Sequence, residues 1–215
     1  MKKGLIITLP QSDDVTEYLA IFSMPIINEC KTRAIKFHEL KQREANKEEF
    51  ERLLKSYDYN FVVLNGHGEK NYVTGHQNEK IIIKGENDNL LDKRITYARS
   101  CWAAAGLGNC YDTDKKGCFI GYNIPFMFLM DTTRATNPIK DKIAEIFFKT
   151  SNCVPIGIIK GQTAEYANEN SKKAMLKAIK KALIKKDKEN SQAIAEILWN
   201  NYSAQILLGN KNATM

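Results

Sequence analysis

The sequence predicts an α/β fold, a three-layer sandwich with a mostly parallel central sheet and helices on both faces. Three observations predict it. Short apolar runs at 4–9, 61–64 and 95–98 are bounded by turn residues, as strands buried on both faces are. Stretches with apolar residues at helical spacing separate the first of these runs. Strand–helix alternation of this kind implies right-handed crossovers and parallel strands. The 215 residues and 43% hydrophobic content fit one domain over 1–215 with a complete core.

Gly4 to Leu9 reads as the first strand. Ser12 is a plausible N-cap, with Asp13 and Asp14 in the first turn where the helix dipole favours negative charge. Val15, Tyr18, Leu19, Phe22 and Ile26 then share a helical face, which Pro25 kinks or ends. Ile35 and Phe37 alternate with Lys36 and His38, as in a shorter, more exposed strand. Asn46 with Glu49 suggests a capping box ahead of the stripe Phe50, Leu53, Leu54 and Tyr57. The strand 61–64 follows and ends in Asn65-Gly66-His67-Gly68. Residues 72–74 and 81–83 flank a turn and predict a small hairpin. The strand 95–100 leads into Cys101, and the run Trp102 to Ala105 favours a helix.

Beyond a polar loop at 109–117, the runs 117–122 and 126–130 are apolar, at least one of them a strand. Asn137-Pro138 reads as a helix start, with Ile139, Ile143, Phe147 and Phe148 keeping the period. Pro155 to Ile159 is short and apolar. Met175, Leu176, Ile179 and Leu183 give a lysine-rich helix its apolar side. A helix at 192–199 and a strand at 205–208 complete the chain.

The formal charge is +7, and eight lysines from Lys172 to Lys188 lie in one segment. No aromatics or arginines interleave with them, so a solvated helix face is expected and nucleic acid is not. Five cysteines, without C-x-x-C pairing, argue against a disulfide framework and a zinc site and for a reducing compartment. The apolar start is too short for a signal peptide, and no run is long enough to span a membrane. The sequence is therefore read as that of a soluble, cytoplasmic protein.

In open parallel sheets, reactive groups gather beyond the carboxyl ends of the strands. His67 and Cys101 each follow such an end, and if their strands are neighbours a thiol and an imidazole meet. The imidazole takes the thiol proton and returns it to a leaving amine. A helix starting after Cys101 would also favour the thiolate. Gly68 leaves room for a substrate carbonyl, and its N–H with that of Cys101 could form an oxyanion hole. Taken singly, a buried cysteine and a turn histidine have duller explanations; their combination is what is specific. His38 and His76 lie away from the strand ends and are weaker bases.

At these residues the chain resembles the clan of caspase-like cysteine peptidases, whose histidine sits in a His-Gly after an apolar strand. Leu64-Asn65-Gly66-His67-Gly68 matches that element, and Tyr97-Ala98-Arg99-Ser100-Cys101 matches the strand before the nucleophile. Residues 100–108 and 199–210 are similar to the glycine-ended and closing segments of the CHAT domain branch. The resemblance implies a thiol protease (a hydrolase) with a Cys-His dyad, no cofactor, and protein or peptide substrates. It also suggests a regulated effector in stress or defence, whose activator would be a separate chain or ligand.

Arginine-specific members often place an acidic residue two before the nucleophile, where this chain has Arg99. Alternation along a strand points Arg99 the same way as Cys101. It is thus a candidate substrate-binding residue, favouring Asp or Glu before the cut; a structural ion pair is the duller alternative. Asp112 and Asp114 would then be consistent with self-cleavage. Two other classes compete: a non-catalytic scaffold subunit of the same fold, and a basic α/β protein associated with nucleic acid. No Gly-x-Gly-x-x-Gly or phosphate loop supports nucleotide binding.

Overall fold

The computed structural model describes residues 2–110, 117–134, 136–184 and 190–215. The chain opens with strand β1 (Lys2–Leu9), helices α1 (Asp14–Ile21) and α2 (Met24–Thr32), strand β2 (Lys36–Lys41), helix α3 (Lys47–Ser56) and strand β3 (Tyr59–Asn65). Three short strands, β4 (Gly68–Glu69), β5 (Tyr72–Thr74) and β6 (Lys80–Ile83), form a separate antiparallel sheet. Strands β7 (Ile95–Arg99) and β8 (Cys118–Tyr122) follow, then helices α4 (Lys142–Ser151), α5 (Cys153–Ile159), α6 (Ala164–Ile184) and α7 (Ser191–Ala204), and strand β9 (Gln205–Gly209). The main sheet has the order β2-β1-β3-β7-β8-β9, parallel except for β9. The protein is thus α/β, on a mostly parallel mixed sheet.

Alternation along the strands builds a core on each face of this sheet. Leu5, Ile7, Phe61, Val63, Tyr97 and Ile120 face one side, where helices α1, α2, α4, α5 and the start of α6 cover them. Ile6, Val62, Leu64, Ala98 and Phe119 face the other, covered by α3 and the small sheet. Each such buried side chain contributes roughly 1.5–3 kcal/mol. The layers are unequal: the second face has one α-helix and a three-stranded antiparallel sheet, which contains the hairpin expected at 72–74 and 81–83. Strand β2 is the edge expected from its mixed pattern. Among the described residues no helix is long and apolar enough to cross a membrane.

Three local expectations are corrected. The N-cap of α1 is Asp13, whose carboxylate accepts from the Thr16 amide, while the Ser12 hydroxyl turns to His76 and the Gln77 amide. Residues 103–105 form a single 3₁₀ turn, entered through Trp102 at φ 61°, and no α-helix follows Cys101. Pro138–Lys140 is likewise a 3₁₀ turn; α4 starts four residues later, capped by the buried carboxylate of Asp141. Of the two apolar runs of which at least one was expected to be a strand, 118–122 is β8, and 126–130 joins no sheet among the described residues. Instead the Asn201 side chain holds both the N–H and the carbonyl of Met127, and Asn200 holds the carbonyl of Pro125. Asp112 and Asp114 lie outside the described residues.

Candidate active site

Strands β3 and β7 are neighbours and parallel, with Phe61 opposite Ile95 and Asn65 opposite Arg99. His67 and Cys101 each lie two residues beyond that last pair, at the carboxyl edge of the sheet. Both line one cleft of about 440 Å³, together with Gly68, Tyr72, Lys80 and Trp102. Gly68 makes the close approach possible. A Cβ there would lie 2.7 Å from the Cys101 carbonyl oxygen and 2.9 Å from the Ser100 Cβ, so any side chain would push the two strand ends apart.

The imidazole is held from behind. His67 Nε2 lies 2.8 Å from Oδ2 of Asp13, the N-cap of α1 in the segment that leaves β1, the other neighbour of β3. Burial alone would raise the Asp13 carboxyl, but hydrogen bonds from the Thr16 amide and from His67 keep it below the usual carboxylate range. A carboxylate accepting from Nε2–H leaves the lone pair on Nδ1, the nitrogen able to act as a base. Asp13 therefore joins His67 and Cys101 in the candidate site. In the sequence it was visible only as a helix-start acid, because the adjacency of β1 and β3 is a property of the topology.

The sulfur is a thiol at rest. Burial pushes the Cys101 pKa up and the nearby charge of Glu69 adds to this, while a hydrogen bond with the Phe126 backbone works the other way. The expected thiolate-favouring helix N-terminus is absent, which corrects that part of the sequence reading. Among the described residues, Cys101 Sγ is not hydrogen-bonded to His67. Resting sites are often slack in this way and tighten with substrate.

Arg99 is corrected as well. Its side chain is fully buried, on the face of the sheet covered by α1 and α4, and does not reach the cleft. Nε and Nη2 donate to Asn65 Oδ1 at 3.0 and 2.9 Å, and Nη2 also donates to Ser23 Oγ at 2.6 Å. Nη1 donates to Asn152 Oδ1 at 2.8 Å and to Ser151 Oγ at 3.2 Å. No carboxylate is among these partners, so the ion-pair alternative falls too. The cation is accommodated by the negative ends of two helices: the Leu19 carbonyl belongs to the last turn of α1, and Ser151 and Asn152 end α4. The Phe148 ring beneath it, 5.1 Å away, adds a cation–π contact. With every guanidinium nitrogen already donating, nothing is left for a substrate carboxylate.

The small sheet orients Gly68. Its partner Val73 is flanked by the hydrogen-bonded pair of His67 and Thr74, so the Gly68 N–H points away from β5. Ser100 Oγ, beside it, is buried without a hydrogen-bond partner among the described residues. Among the described residues no three His, Cys, Asp or Glu side chains gather as metal ligands would.

Fold and site together define an α/β protein with a cysteine, a histidine and an aspartate at the carboxyl edge of a mostly parallel sheet. Compared with known protein families and with curated proteins, the chain matches none.

Proposed function

We propose that this chain is a caspase-like cysteine endopeptidase of the CHAT type that hydrolyses peptide bonds in protein substrates, possessing a Cys101-His67 dyad oriented by Asp13. One observation carries the reading: His67 and Cys101 line the same cleft from adjacent strand ends, with the imidazole tied to a carboxylate. As a substrate carbonyl arrives, His67 Nδ1 takes the thiol proton and the sulfur bonds to the carbonyl carbon. The Gly68 and Cys101 N–H groups receive the oxyanion. His67 then passes the proton to the leaving nitrogen, the C–N bond breaks, and water hydrolyses the thioester to regenerate the thiol. Asp13 holds the ring and stabilises its charged form. Arg99, being interior, gives no ground for an acidic preference.

The test is a comparison of new protein N-termini after incubating a proteome with wild type or with Cys101→Ala. Termini made by wild type and absent with the variant support the reading; identical sets count against it. A second reading, a non-catalytic subunit on the same fold, is favoured by the raised thiol pKa and the turn of Sγ toward Phe126. It requires that a peptide-based electrophile label Cys101 no faster in wild type than in His67→Ala.

A further inference from the structure

A second cavity, of about 430 Å³, opens on the same edge of the sheet, above the ends of β1 and β2. Its floor is Leu9 and Ala20, both buried, with Pro138. Ile21 forms a wall, and two side chains at the mouth are unusually open for their type: Met24 is 37% exposed and Ile139 58%. The volume lies within the roughly 300–1,000 Å³ of ligand pockets. Leu9 pairs with Lys41 on one side, and the β1–β3 register puts it level with Asn65, two residues before His67, on the other. The cavity thus lies along the same row of strand ends as the candidate cleft, from which the contacts of Ser12 with His76 and Gln77 separate it, and the two share no lining residue.

We propose that this cavity binds an aliphatic side chain of the substrate peptide, two or three residues beyond the scissile bond on the leaving-amine side. The inference rests on the peptidase reading and adds the substrate class. Strands in a sheet lie about 4.8 Å apart, so passing from Cys101 on β7 over β3 to β1 covers about 10 Å. An extended peptide spans that in about three residues, at roughly 3.3–3.6 Å each. His67 lies on this path, and because it delivers its proton to the leaving nitrogen, the chain running past it is the one that departs. The mouth carries charges of both signs, Glu17 and Lys41, with Lys41 already paired to Glu39. An apolar floor under such a mouth selects an aliphatic or methionine side chain over a charged one.

Two measurements test this. Wild type is profiled on a blocked peptide library randomised on both sides of the cut. Leu, Ile or Met is expected to be preferred over Asp by about tenfold or more in kcat/KM at the second or third leaving-side position, and Ile139→Glu is expected to flatten that preference. In parallel, Cys101→Ala carrying ¹³C-methyl methionine, with the Met24 signal assigned through Met24→Leu, is titrated with blocked peptides bearing Leu or Asp at the chosen position. The Met24 signal is expected to move with the Leu peptide only, and not in the Cys101→Ala/Ile139→Glu double variant. Cys101-dependent cleavage without leaving-side aliphatic preference, and with an unmoved Met24, overturns the subsite and leaves the peptidase intact. A Met24 shift without any Cys101-dependent cleavage supports the cavity as a peptide site and overturns the peptidase. Neither cleavage nor shift overturns both.

Discussion

Asp13 makes two bonds that a shorter or neutral side chain cannot both keep: Oδ1 accepts from the Thr16 amide and Oδ2 meets His67. Asp13→Asn retains a helix cap but presents an amide that cannot hold the imidazole in the same tautomer. Loss of orienting partners of this kind costs roughly 10–100-fold, and that loss is expected in Cys101 alkylation by a peptide-based electrophile. The Asp13 carboxyl is held below its ordinary value, so its stabilising bonds are present above about pH 3.9 and lost as pH falls through the lower folded value. The stability difference between wild type and Asp13→Asn should close over that acid range in urea titrations. Arg99→Met leaves Asn65 Oδ1 and Asn152 Oδ1 without their Arg99 donor in the interior and takes one of two donors from Ser23 Oγ. Stranding these buried acceptors, at roughly 1–3 kcal/mol each, is expected to lower the unfolding free energy by about 3 kcal/mol or more. At this scale the sequence yielded His67 and Cys101 because each sits at the end of a locally visible strand. It misplaced Arg99 because alternation gives the face of a side chain and not what covers that face.

Elements were legible where periodicity and burial agree and lost where a tertiary contact decides the backbone. The strands β1, β3, β7 and β8 and the stripe of α3 follow their patterns. The stripe from Val15 to Ile26 is instead split between α1 and α2, with Pro25 in the first turn of α2 rather than ending a helix, and Leu183 at the end of the α6 stripe is exposed. The run after Cys101 has good helix formers, yet the Leu107 amide is bound to the Lys70 carbonyl at 2.6 Å and Gly106 lies against the same residue. That tie to the turn between β4 and β5 outweighs alanine's preference of under 1 kcal/mol per residue. Ser12 lost the cap to Asp13 because its hydroxyl is engaged by the 76–77 turn. The junction of β4 with the Cys101 turn is close-packed, so Gly68→Ala is a sensitive probe. Its Cβ would meet backbone and a short side chain. It is expected to cost about 1–3 kcal/mol of stability in chemical denaturation and to reduce Cys101 labelling more than Asp13→Asn does.

At the scale of the whole molecule, the sheet order sets the candidate site: β1, β3 and β7 lie side by side and bring Asp13, His67 and Cys101 to one edge. Order was beyond the sequence, since apolar runs show that strands are buried but not which are neighbours. The lysine-rich helix illustrates the same limit. Its lysines are free of aromatics in sequence, yet Lys172 lies over the Tyr202 ring of α7 at 5.0 Å, while Lys173, Lys177, Lys180 and Lys181 are exposed. Replacing those four by glutamine is expected to change stability by no more than about 0.5 kcal/mol per site and to leave Cys101 labelling unaltered. The central claim, that the imidazole of His67 acts on the sulfur of Cys101, is tested most directly by labelling with a peptide-based electrophile, located by peptide mapping and followed by intact mass. Wild type should react at Cys101 ahead of Cys30, Cys118 and Cys153, and His67→Ala should be slower by about 100-fold or more. Equal rates in the two proteins, or no preference for Cys101, would contradict it.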